Sequence, residues 1–317
     1  MTAHHLPGVG DPAAGQHGRL VLALNPGSSS LKAAVRSPNP VLSIQVENVA
    51  DEPLLTVTDQ DGTGPARRLT DTGLPAALQA VLSAVRERQL TISAVAHRVV
   101  HGGTRYRQPT LVTDGVLAAL HDLIPLAPLH LPGELASIAA ARVALPEIPQ
   151  VACFDTAFHS RLPEEDTRLP VPDAIAALGV RRYGFHGLSL QHIVDTTPDL
   201  GRAVIAHLGS GCSVTAISGT VPVHTSMSFS PAGGVPSATR TGDLDPDIVL
   251  YLIHEHGWTS EGLRDLLNHQ SGLAGISGGQ SDVRQLTTAR EQGDRQATLA
   301  LKVFTRSVGM EIAACSA

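Results

Sequence analysis

Short apolar runs dominate the chain from Leu20 onward. Leu20–Leu24, Ser30–Val35, Val41–Val49 and Leu54–Val57 are rich in Leu, Val and Ile and are bounded by Gly, Pro, Asn and Ser, which predicts strands. The period then changes. Leu74, Leu78, Val81, Leu82 and Val85 fall on one helical face, with Pro75 near the first helical position. Ala94–Val100 predicts a return to strand, Gly115–Leu123 and Pro132–Leu145 predict helices, and Gln150–Asp155 predicts a further strand. The second half opens in the same style. Ala203–Leu208 and Ser213–Ile217 read as strands around a Gly-Ser-Gly turn, and helices dominate from Asp245 to the end.

The turns carry the chemistry. In "LALNPGSSSLKAAV", residues 22–35, small residues sit between two apolar runs, with Asn25 before them and Lys32 after. Two readings are open on local evidence. One is an inert hairpin, for which Pro, Gly and Ser are ordinary turn residues. The other is an anion nest, in which successive backbone N–H groups converge, Ser28 and Ser30 add hydroxyls, Lys32 adds a point charge and Asn25 holds a metal-bound water or a phosphate oxygen. The nucleotide P-loop spacing is absent. The stretch "VIAHLGSGCSVTAI" repeats the pattern of strand, Gly/Ser turn and strand. Two such turns in matching places predict a duplicated α/β fold that binds nucleotide.

Composition narrows this only slightly. The chain has 317 residues, 42% of them hydrophobic and 3% aromatic, so it is long enough for two domains with aliphatic cores. Its net charge of −6 implies no general affinity for nucleic acid or an anionic membrane, and any anion site must be a local positive cluster. No apolar run is long enough to span a bilayer. Cys153, Cys212 and Cys315 form no C-x-x-C pair and no metal-ligand spacing, and read as reduced thiols of a cytoplasmic protein. Residues 1–18 read as a disordered tail with no signal-peptide pattern. The "HEHGW" stretch at 254–258 pairs histidines at i and i+2, which do not share a helix face, and is set aside as a metal pair.

Several motifs in order resemble the acetate kinase family, the acetate and propionate kinases of the actin-like ATPase superfamily. They are "NPGSSSLK" at 25–32, "HRVVHGG" at 97–103, "DLIPLAPLH" at 122–130, "FDTAFH" at 154–159, "RRYGFHG" at 181–187, "HLGSGCSV" at 207–214, "TSMSFSP" at 225–231, "TRTGDLDP" at 239–246 and "SGLAGISGGQSDVR" at 271–284. The resemblance implies an α/β, duplicated actin-like ATPase (ribonuclease H-like) fold with two domains flanking a cleft, residues 19–156 and 157–317, the second lacking its C-terminal part. It implies reversible transfer of phosphoryl from ATP to acetate, giving ADP and acetyl phosphate, with Mg2+ as cofactor and a homodimer as the family's form. Among site residues, it implies Arg98 and Arg240 as cations at the carboxylate, His186 as a donor to the transferring phosphoryl, and Asp155 as a holder of magnesium or its water shell. Asn25, Ser28, Ser30 and Lys32 map near magnesium and the terminal phosphates; His207, Gly209, Ser210 and Gly211 map to the second phosphate turn. Asp282, Val283 and Arg284 match positions that hold the nucleoside. Val100, Leu129, Phe185 and Pro231 map to the walls of a slot for the alkyl group of acetate or propionate.

Each of these residues also has a plainer reading: core packing for the apolar ones, an ion pair for the arginines, a helix N-cap for Asp155. The chain departs from the family at Leu131, Leu188, Leu190, Ser210 and His224 and in "PAGGVPSATR", mostly exchanging polar groups for apolar ones. The family also continues past "IAACSA" with an adenosine loop. Two further readings therefore stand beside the kinase: a relative that acts by binding alone, and one that uses propionate or another phosphoryl donor.

Overall fold

A computed structural model describes residues 19–27, 29–37 and 39–316. The expectations for residues 1–18 and for Ser28 lie outside the described residues. The chain divides into two compact units. The first takes the chain up to Arg98, with Leu111–Thr113 and Gly133–Ala152; the second takes Val99–Thr110, Asp114–Pro132 and the chain from Cys153 on.

The first unit is built on a mixed sheet. Strands β1 (Leu20–Pro26), β2 (Ser30–Ser37), β3 (Asn39–Glu47) and β4 (Leu54–Asp59) form an antiparallel meander, edged by the two-residue strands β5 (Gly62–Thr63) and β6 (Arg67–Arg68). Beyond β1 the sheet continues with β7 (Ile92–Val99), β9 (Gln150–Phe154) and β8 (Thr110–Leu111), and β7 runs parallel to β1. Alternation along β1 and β2 sends Leu22, Leu24, Leu31, Ala33 and Val35 into one core. Helix α1 (Leu74–Glu87) covers that core with Leu78, Val81, Leu82 and Val85, the face its periodicity predicts, and Pro75 lies in its first turn. Losing one such buried leucine to alanine typically costs about 2–5 kcal/mol. His97 lies on the same side as Leu24, and its Nε2 meets Gln150 Oε1 at 2.7 Å, which ties β7 to β9. Helix α3 (Leu131–Ala144) matches the predicted Pro132–Leu145 within a residue.

Strand β3 stops short of the predicted Val49. Asn48 takes a left-handed φ of 51°, and its carbonyl accepts the Asp51 N–H, so the chain turns there. Likewise β9 ends at Phe154, one residue before Asp155.

The second unit holds the antiparallel sheet β10 (Arg202–Leu208), β11 (Cys212–Ser218) and β12 (Val221–Thr225). The short β12, with exposed valines, was not predicted. Strand β11 is buried on both faces. Cys212 and Val214 pack with the long helix α11 (Arg295–Cys315), while Ile217 packs with Leu190 and Val194 of α6 (Gly187–Thr196). The helices α2 (Asp114–His121), α4 (Glu164–Thr167) and α5 (Asp173–Ala176) precede this sheet in sequence. After it come α7 (Pro246–His256), α8 (Ser260–His269), α9 (Gly272–Ser277) and α10 (Val283–Glu291).

Two buried histidines in this unit stay neutral. Burial lowers His101 to about 4 and His159 to about 3, although the charge of Asp166 opposes the shift at His159. Neither His159 nitrogen finds a hydrogen-bond partner among the described residues. The unfolded chain takes up these protons near pH 6.5, whereas the folded chain does so only near 3–4. Stability should therefore fall as pH drops from about 6.5 to about 3–4. In a thermal-melting series, His159→Gln should show a shallower fall than the parent. An equal slope would mean that His159 titrates alike in both states.

Candidate active site

In the first unit, sheet register sets the site residues side by side. Asn25 is opposite Lys32 in the β1–β2 pair, on the face away from the core. From β7, Arg98 Nη1 reaches Asn25 Oδ1 at 3.4 Å. Lys32, Asn25 and Arg98 thus form a row across three neighbouring strands. The buried carboxylate of Glu134, on α3, stands 3.5 Å from Arg98 Nη1 and steadies the guanidinium. Ser30 opens β2, and its carbonyl accepts the Gly27 N–H at 2.7 Å, closing the turn.

In the second unit the site grows from the end of β9. The Asp155 N–H donates to Val99 O at 3.0 Å, and its carbonyl accepts the Gly187 N–H at 2.8 Å. A Cβ at Gly187 would run into that carbonyl, so only glycine lets α6 start directly on Asp155. The 3-10 turn that follows begins at Phe158 after Ala157, so Asp155 is not its N-cap. His186, just before α6, takes a left-handed φ of 61°. Its Nδ1 meets Ser213 Oγ at 3.0 Å, and its ring stacks on His207 with centroids 4.1 Å apart. Burial lowers the His207 pKa, against the pull of the Asp155 charge, which favours a neutral ring.

The second turn meets these groups. Residues 209–211 join β10 to β11, as predicted, and the Gly209 N–H donates to Gly211 O at 3.1 Å. A Cβ placed on Gly211 would stand 3.2 Å from both His186 Nε2 and Arg240 Nη1. Those two donors therefore converge on one bare glycine. Arg240 is held by the Pro231 carbonyl at 3.3 Å and faces His130 Nε2 at 3.4 Å. Ser210 is exposed, and the Ala238 N–H donates to its carbonyl.

The remaining predicted residues divide. Pro231 is joined to Arg240 through its carbonyl, and Leu129, 40% exposed, precedes His130. Val100 and Phe185 are almost wholly buried, and Phe185 packs edge-on to His101. Asp282 caps α10, accepting from the Arg284 and Gln285 N–H groups. The Arg284 guanidinium and these backbone donors hold its carboxyl down at about 2. Val283 and Arg284 are exposed, and Arg284 folds back on Asp282. The three departures to leucine share no single fate, since Leu131 and Leu190 lie in the core and Leu188 is half-buried.

Glu134, His130 and Ser213 were not among the predicted residues. His130 ends the "DLIPLAPLH" motif and Ser213 follows the second turn, so both were within quoted motifs. Glu134 had no signal beyond a helix that begins near it.

The arrangement defines an α/β protein of the actin-like ATPase fold, in which two Gly/Ser hairpins carry hydrogen-bond donors. The pattern that describes the Acetokinase family matches residues 20–317, and the chain belongs to that family. It is 42% identical over 296 residues to an acetate kinase of Pseudarthrobacter chlorophenolicus, covering 90% of this chain and 75% of that one. It is 37% identical over 314 residues to an acetate kinase of Microcystis aeruginosa, covering 90% and 77%. A propionate kinase from Francisella tularensis superposes with a TM-score of 0.89 at 31% identity, over 94% of this chain and 80% of that one. An acetate kinase of Porphyromonas gingivalis superposes with a TM-score of 0.82 at 32% identity and the same coverage.

Gly211 offers a direct test of the convergence. Gly211→Ala should leave the thermal midpoint close to that of the parent, because Gly209 and Ser210 are exposed and the added methyl meets only the ends of two side chains. It should lower turnover about 100-fold by displacing His186 and Arg240. Full turnover would separate this glycine from the working site.

Proposed function

We propose that the chain transfers the terminal phosphoryl group of ATP to acetate, giving ADP and acetyl phosphate, and also runs the reverse reaction. The single observation that supports this most is the meeting of His186 Nε2 and Arg240 Nη1 at Gly211, on the strand–turn–strand unit of a member of the Acetokinase family.

Phosphoryl transfer asks a protein for positioning and for stabilisation of spread negative charge. In this reading Arg240 draws the acetate carboxylate and the transferring group together, and its guanidinium plane suits two oxygens at once. His186 donates from Nε2 to an equatorial phosphoryl oxygen, while Ser213 holds Nδ1 and fixes the ring. Its stacking partner His207, favoured as neutral, adds no competing charge. The Ser210 hydroxyl and the turn around it bind the phosphates. In the first unit, Lys32, Asn25, Arg98, Ser28 and Ser30 are the donors that the resemblance assigns to phosphate and carboxylate oxygens. An acetate oxygen attacks the terminal phosphorus in line as the bond to ADP breaks, with no covalent enzyme intermediate.

Asp155 in the second unit offers a carboxylate and Asn25 in the first an amide oxygen, each a hard donor of the kind Mg2+ takes, and the role of each at the metal rests on the resemblance. Bound there, magnesium would neutralise charge on the phosphates. The buried Asp155 carboxylate fits that role, because its backbone is pinned on both sides by Val99 and Gly187. Among the described residues no helix is long and apolar enough to cross a membrane. We place the enzyme in the cytoplasm, with its cysteines reduced, as a homodimer, on the strength of the resemblance. The nucleoside role of Asp282, Val283 and Arg284 rests on the same ground.

The higher TM-score to a propionate kinase supports a second reading, in which propionate is the preferred acid. The test is a coupled assay of the purified chain with acetate and propionate, and with ATP, GTP and pyrophosphate as donors. Acyl phosphate formed from ATP and acetate supports the first reading, whereas a higher kcat/KM for propionate supports the second. No acyl phosphate from any pair would overturn both. Arg240→Ala should lower kcat about 1,000-fold in a folded protein. Val100→Ala should shift the ratio of kcat/KM for propionate over acetate upward about tenfold, the scale of one methylene. An unchanged ratio would remove Val100 from the alkyl slot.

A further inference from the structure

Away from these residues, the second unit gathers a set of side chains that the phosphoryl-transfer reading leaves without a task. His224 lies on β12, where the family usually carries an aspartate. Its Nδ1 meets Asp166 Oδ1 at 2.5 Å, and its Nε2 meets Glu311 Oε1 at 3.1 Å. Glu311 and Cys315 are four residues apart on α11, so both point from the same helix face. Ligand atoms of His224, Glu311 and Cys315 all lie within 4.8 Å of one another.

We propose that His224, Glu311 and Cys315 form a binding site for a borderline transition-metal ion such as Zn2+, with Asp166 positioning the histidine. The donor set is nitrogen, carboxylate oxygen and thiolate sulfur, a mixture that suits zinc and does not suit magnesium or calcium. Ligand atoms around one tetrahedral zinc stand roughly 3.2–3.8 Å apart, so small side-chain rotations bring these three into range. Asp166 does what carboxylates do behind metal-bound histidines. It accepts the Nδ1 proton, while Nε2 donates to Glu311; a bound ion would displace the Nε2 proton and the Cys315 thiol proton, both released to solvent. Arg182 Nε, 3.6 Å from Asp166 Oδ2, balances that carboxylate from the other side. The side chains of His224 and Glu311 are 32% and 24% exposed, so an ion can reach them and a water can fill a fourth position. A bound ion would fasten the end of α11 to β12.

Cobalt(II) makes the site visible. The full chain, freed of metal and kept reduced, is titrated with Co2+ and followed by absorbance, and Zn2+ is then added as competitor. One equivalent of cobalt should raise a thiolate-to-metal charge-transfer band, and zinc should abolish it. Cys315→Ser should remove the band, and Glu311→Gln and His224→Ala should each weaken binding at least tenfold. Asp166→Asn should keep the band but weaken affinity about 10- to 100-fold, as loss of support behind a ligand does. Because the band reports sulfur, histidines elsewhere in the chain cannot produce it. No band at stoichiometric cobalt, or a band that persists in Cys315→Ser, would overturn the proposal. Circular dichroism of each variant separates loss of the site from loss of the fold.

Discussion

The contact between the Asp155 carbonyl and the Gly187 N–H organises the second unit's site. It seats the first turn of α6 against the end of β9 at 2.8 Å, a distance that any side chain at residue 187 would prevent. With Gly187 seated there, the chain enters the helix through His186 in a left-handed conformation, φ 61°. An adjacent glycine extends the same logic. Gly184 has a φ of 71° and lies over the ring of the buried His159, where a Cβ would clash. The sequence "YGFHG" is thus a backbone device that aims one imidazole, packed over a buried histidine.

Around this device, rigid elements hold donors in reach of one another. Ser213 faces His186 because β11 alternates, sending Cys212 and Val214 toward α11 and Ser213 toward the other face. Arg240 arrives from a loop held by its own backbone: the Ser237 N–H donates to Arg240 O, and the Ser271 N–H donates to Thr239 O. Arg98 in the first unit is held differently, by a buried carboxylate on α3. That carboxylate is buried while the Arg98 side chain is 26% exposed. The two arginines share a charge, and each reaches its position by a separate route.

Replacing polar residues of the family with leucine does not strip these supports. Leu190 packs with Ile217 and Val194, and Leu131 is wholly buried, so these two exchanged positions serve the core, while Leu188 is half-buried. The change at His224 is of another kind, since it adds a base between two carboxylates and links three elements distant in sequence.

Much was legible in the sequence, because periodicity and turn chemistry are local. The aliphatic runs of β1, β2, β10 and β11, the face of α1 and the two Gly/Ser turns all follow from residues a few positions apart. The motifs also contained most of the site, because residues on one turn travel together. What the sequence by itself left undecided depends on contacts across the chain. Nothing local shows that Asn48 would turn left-handed and end β3, or that exposed valines would still pair as β12. Glu134 finds Arg98 only because α3 packs beside β7. Asp282, read as a nucleoside contact, is used at least in part as a helix cap, a role its position before α10 allowed but did not require. His224 and Cys315 lie 91 positions apart in sequence, and Cys315 showed no ligand spacing at all. Only the packing of α11 against the sheet, driven by apolar burial, brings them together.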